Sequence, residues 1–192
     1  MRALLSVTAL LLIVFAGCNS GSEGERCARM ADSLAESVQA GTLRLDSPDT
    51  SGIQQMLVSH QAWLDFIARS VRDTLTMEQA GALQQFDLAC RQLEAFLSNR
   101  RILLARSALL RSQLMMLAAD VRSGSLDAAK ARGMLEQEKK EAGTFLALCV
   151  QQVQDTEKAL GQFSLSRDMV SDLVRDHNGG ELPVVVPETP GY

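Results

Sequence analysis

The feature that most restricts this chain is a long run without proline. None occurs between Asp49 and Gly179, although the chain has four, three of them in its last ten residues. Proline inside a helix removes a hydrogen bond and clashes with the preceding turn, so its absence leaves long helices open to the chain. Hydrophobic spacing then fills the opening. Phe86, Ala89, Leu93, Phe96, Arg100, Leu103, Ser107, Leu110, Leu114, Leu117 and Val121 alternate by three and four, and Leu97 and Leu104 widen the stripe. That pattern predicts a helix from Thr76 to Arg122. Arg122-Ser123-Gly124-Ser125 reads as a turn. A further helix follows from Leu126 to His177, its seam carrying Ala142, Leu146, Cys149, Val153, Thr156, Leu160, Phe163, Val170 and Val174. Helices of this length reach roughly 70 Å, and the two seams predict an antiparallel, coiled-coil-like hairpin. Gly133, Gly143 and Gly161 weaken the second arm and allow a bend or a close approach there.

Two shorter helices precede the hairpin. Ser22 to Glu25 reads as a capping box opening one, with Cys27, Ala31, Leu34 and Val38 on a stripe and Gly41 ending it. Ser47-Pro48 reads as an N-cap followed by proline at the first helical position of the other. Its face carries Ile53, Leu57, His60, Leu64, Ile67 and Val71. The expected fold is all-α, a long hairpin with two shorter helices packed on it. The result is a three-helix bundle if they lie end to end, or a four-helix bundle if they fold back on each other.

The cysteines bear on that choice. Folding the hairpin about Gly124 leaves Cys90 and Cys149 roughly 13 Å out of register, too far for a disulfide. In the folded-back arrangement Cys27 falls near the level of Cys90 and a bond is feasible. In the end-to-end arrangement no pair meets, and all three remain buried free thiols.

The residues assemble no recognisable catalytic set. Only His60 and His177 are present, neither with ligand-spaced partners, and no Gly-rich phosphate loop, GxSxG or HExxH occurs. The reading is therefore not an enzyme, with no cofactor and no metal. A formal net charge of −4 and scarce aromatics give no footprint for nucleic acid. The window from Ala95 to Ala119 holds Arg100, Arg101, Arg106 and Arg111 and no acid. These four form a candidate interaction surface, although the hairpin also sets them across from Glu136, Glu138 and Glu141, where ion pairs would absorb them.

The N-terminus points to location. Ala3 to Phe15 is apolar apart from Ser6 and Thr8. That is short of the roughly 20 residues of a membrane span and suits a secretory signal peptide. Phe15-Ala16-Gly17-Cys18 then resembles the lipobox of bacterial lipoproteins, with phenylalanine where leucine is usual. The resemblance implies a diacylglycerol on the Cys18 thiol, cleavage before that residue, and two or three acyl chains such as palmitate holding the protein to a membrane. Asn19 then implies the outer membrane, facing the periplasm. Two plainer readings stay open: signal-peptidase cleavage after Ala16, and an uncleaved short anchor.

Leu75-Thr76-Met77-Glu78-Gln79 is similar to the LTxxQ signature of Spy-like periplasmic chaperones, small all-α proteins that bind unfolded clients or sense stress. Physically the same residues make a cap, with Thr76 as N-cap, Gln79 closing the box and Leu75 as a hydrophobic staple. The organisation expected is a signal peptide over 1–17, a lipidated linker over 18–21, a helical bundle over 22–177 and an extended or disordered Pro-rich tail over 178–192. Within the tail, Leu182 to Val186 could add to the edge of a partner's sheet. The leading functional expectation is a lipid-anchored cell-envelope protein acting through protein–protein interaction, as scaffold or accessory subunit. Its partners would be the membrane, an envelope protein and a second copy through the coiled-coil face. The alternative is a Spy-like client-binding or stress-sensing protein.

Overall fold

The computed structural model describes residues 2–72 and 75–183, with side chains from residue 23 onward. The Cys18 thiol and most of the Pro-rich tail lie outside that range. Four helices, α1 (Arg2–Arg44), α2 (Thr50–Ser70), α3 (Met77–Arg122) and α4 (Ala128–His177), make up the fold, with no strand among the described residues. The protein is all-α. A tight turn joins α3 to α4. Gly124 takes φ +74° there, a conformation that costs glycine no Cβ clash. The Leu126 amide closes the turn on the Asp120 carbonyl at 3.1 Å.

Helix ends depart from the sequence reading by a few residues, each for a visible reason. Asp49, not Ser47, caps α2, its Oδ1 accepting from the amides of Ser51 and Gly52 at 3.1 and 3.0 Å. A carboxylate at that end meets the exposed amides and the positive end of the helix dipole. Ser47 instead donates back to the Arg44 carbonyl. Asp127 caps α4, accepting from the Lys130 amide at 2.9 Å. Thr76 and Gln79 do form the expected box at the start of α3, through bonds of 2.9 and 3.2 Å. At the other end, α1 runs unbroken through Ser22 to Glu25 and past Gly41.

The chain divides into two compact units. One joins α1 to the turn-proximal parts of α3 and α4, Leu103–Cys149. Here α1 offers a face of small residues, Ala28, Ala31 and Ala35, while α3 and α4 supply Leu110, Leu114, Leu117, Leu135 and Phe145. Gly41 belongs to that small face: a Cβ on it would stand 2.5 Å from Leu146 Cδ2. It permits a close approach and does not stop the helix. Arg122 ties this edge down, pairing with Asp32 and reaching Glu25 at 3.9 Å.

The other unit joins Arg44–Ile102, including α2, to the chain from Val150 onward. Its core is aromatic. Phe86 lies between Trp63 and Phe163, with ring centroids 5.7 and 5.0 Å away. Ile67, Ala89, Cys90, Val170, Leu173 and Val174 complete the cluster. A neighbouring cluster holds Ile53, Leu93, Phe96 and Ala159. Thus the stripe read from the sequence of α3 is the buried one, from Phe86 to Leu117.

Cys27, Cys90 and Cys149 are free and buried. Cys27 belongs to the first unit and Cys90 to the second, and the Cys27–Cys90 disulfide weighed from the sequence is not formed. Gly133, Gly143 and Gly161 face open space, so no close approach accounts for them.

Candidate functional site

A groove lies within the second unit, between α2 and α4. It measures about 660 Å³. Trp63 and Phe163, only 8 and 4 % exposed, form its floor, and Met56 borders it. The rim is polar: Gln55 and Ser59 come from α2, while Arg167, Asp168, Ser171, Asp172 and Arg175 come from α4. Steps of three and four along α4 put these five residues on one edge, one turn beyond Phe163. Arg167 pairs with Asp168 at 3.1 Å and Arg175 with Asp172 at 3.3 Å, all well exposed. Such pairs contribute little stability and are easily exchanged for a ligand's charges.

The chain itself shows what this groove accepts. After α4, Gly179 and Gly180 take φ +66° and +93°, and the Gly180 amide closes on the Arg175 carbonyl at 2.8 Å. The chain turns back, and Leu182 lines the groove and packs against the aromatic cluster. The residue expected to begin a sheet-edge strand is therefore an intramolecular plug. Residues 184–192 lie outside the described range.

Beside the groove, His60 is buried against Phe86, ring centroids 5.1 Å apart. Its Nε2 faces Asp87 Oδ1 across 3.5 Å, too long for a strong hydrogen bond, while Arg91 holds the other oxygen of Asp87 at 2.8 Å. Burial lowers the His60 pKa, against the opposing pull of Asp87 and Glu94. Cys90 is pushed up to about 12 by burial, with Asp87 and Glu94 adding to the rise. A thiol so placed stays protonated and is a poor nucleophile. No group of three or more His, Cys, Asp or Glu among the described residues is arranged to hold a metal ion.

The four arginines do not form one surface. Arg100 turns inward within the second unit, donating to the Leu45 carbonyl at 3.1 Å and pairing with Asp46. Arg106 reaches Glu141 on α4 at 3.9 Å, the one expected cross-hairpin pair that forms. Arg111 lines a shallower groove of about 400 Å³ against Asp32 and Glu36 of α1, its Nε buried without a hydrogen-bond partner. Arg101 is the exposed one of the four. The groove residues were missed because they come from two helices, Trp63 and Phe163 standing 100 positions apart in the chain. A signal existed in the single tryptophan and in the alternation of arginine and aspartate from Arg167 to Arg175. No known protein family matches the chain, and no curated protein or solved structure does.

Proposed function

We propose that this is a cell-envelope protein held to the outer membrane, on its periplasmic side, by lipid at Cys18 and acting through protein–protein contact. The groove between α2 and α4 is its docking site for an extended segment of a partner. The observation that carries the reading is the seating of Leu182. An aromatic floor already takes an aliphatic side chain from non-helical backbone, inside a rim with both charge signs. An apolar floor within a polar rim is the usual anatomy of a protein contact. A partner segment would compete with the chain's own Leu182.

The test has two arms. The first is the intact mass of the mature N-terminal peptide from fractionated cells, beside a Cys18→Ala control; an unmodified soluble N-terminus removes the tether. In the second, a photo-crosslinking residue replaces Ser59 in the full chain. The expected result is an adduct with one envelope protein that disappears when Met56→Arg blocks the floor. No adduct, or one indifferent to that change, sinks the groove as a docking site.

A client-binding reading, in line with the Spy-like resemblance, draws on one observation of its own. In the first unit Leu109, Met115, Met116 and Met134 are 49 to 62 % exposed, and exposed methionines suit promiscuous apolar contacts. It predicts that the purified protein suppresses aggregation of an unfolded test protein at equimolar amounts. Absence of that effect removes it.

A further inference from the structure

Helix α3 carries a second seam on the side away from its own bundle. Ile102, Ala105, Leu109, Ser112, Met116 and Ala119 repeat by three and four, and all six are exposed. The large ones are conspicuously so: Ile102 61 %, Leu109 62 % and Met116 59 %. Leu103, Leu110, Leu114 and Leu117, which α3 buries in its core, lie on the opposite side of the same turns. No charged residue interrupts this face between Arg101 and Asp120. An 18-residue window of α3 reaches a mean hydropathy of 1.3 with only 33 % of it buried. Apolar residues on both sides of a helix call for cover on both sides.

We propose that this face pairs with the same face of a second copy, antiparallel, about a two-fold axis passing between Leu110 and Arg111. Size complementarity argues for the partner and the direction. In that register Ile102 meets Ala119 of the second copy, Leu109 meets Ser112, and Met116 meets Ala105. Every large side chain fills the space left by a small one, as close packing requires. A parallel pair would set Ile102, Leu109 and Met116 against their own copies, leave the Ala105, Ser112 and Ala119 layers underfilled, and set Arg101 against its own copy. Charge favours the same choice. Arg101 has no ion pair of its own among the described residues. The antiparallel register sets it against Asp120 of the second copy, an exposed carboxylate of opposite charge. Each copy presents the same patch, so the interface closes on itself. The seam is short, so the pair belongs with reversible interfaces that bury less than about 1,200 Å².

The test is cysteine crosslinking of the full chain in cells, read on non-reducing gels. The native Cys27, Cys90 and Cys149 are buried and stay out of the reaction, and the native chain, which also carries Cys18, serves as the blank. Ile102→Cys combined with Ala119→Cys is expected to give a covalent dimer. Ile102→Cys alone is expected to give none, because antiparallel pairing holds the two copies of position 102 roughly 25 Å apart along the axis. Adding Leu109→Asp to the double variant should abolish the crosslink, and on the native background it should raise the dimer dissociation constant at least about tenfold. Leu109 is exposed, so an unchanged thermal melt will show the monomer intact. A double variant that crosslinks no better than the single one overturns the proposal. So does a single variant that crosslinks well, or a monomer that floats with anionic phosphatidylglycerol vesicles until Leu109→Asp releases it.

Discussion

At the scale of the residue, burial decides the chemistry. His60 is held below its ordinary 6.5 by loss of water. Between 6.5 and the lower folded value, the unfolded chain takes up a proton that the folded one refuses. Stability is therefore greatest above that range and falls as pH drops through it. Thermal melts at pH 7.5 and pH 5 should show the drop in the native protein and a smaller one in His60→Gln; equal drops would mean His60 is not its source. The thiols give a second expectation. Cys90 is pushed up to about 12 and Cys149 is raised by burial. Cys27, Cys90 and Cys149 should resist a maleimide reagent in the folded protein and react after denaturation. Rapid labelling of the native state would contradict the packing around them. Neither Asp87 beside His60 nor the fate of Arg100 was legible in sequence, since both depend on which helix lies opposite.

Helices were the most legible level. The stripe from Phe86 to Leu117 is the buried face of α3 because a seam repeated over more than four heptads has one way to be covered within the chain. Glycines misled. Gly41 looks like a stop and is a contact, while Gly143 looks like a contact and faces open space. A missing side chain leaves no trace in sequence of what stands next to it. The two positions predict opposite outcomes: Gly41→Ala should lower the melting temperature through its clash with Leu146, and Gly143→Ala should raise stability by about 1 kcal/mol. Thermal unfolding of the two variants decides this, and matching signs would refute the packing described. The groove stayed hidden for a related reason. Trp63 and Phe163 each fit a buried seam, and only the tertiary fold puts a polar rim around both.

For the whole molecule, the consequential feature is that α3 and α4 are each continuous across the two units. Loss of packing in one unit should therefore be felt in the other. Trp63, the single tryptophan, reports on the second unit only. Leu114→Ala, in the first unit and fully buried, should cost about 2–5 kcal/mol and shift the fluorescence midpoint of Trp63. An unmoved midpoint would make the units independent folders. The three buried thiols carry a last consequence, one of timing. A chain entering an oxidising compartment unfolded presents Cys27, Cys90 and Cys149 together, and each is shielded only once its helix has docked. In the cell envelope proposed for this protein, folding would have to outrun the local oxidase, because a bond formed early between any two of them would tie up thiols that are free in the native fold.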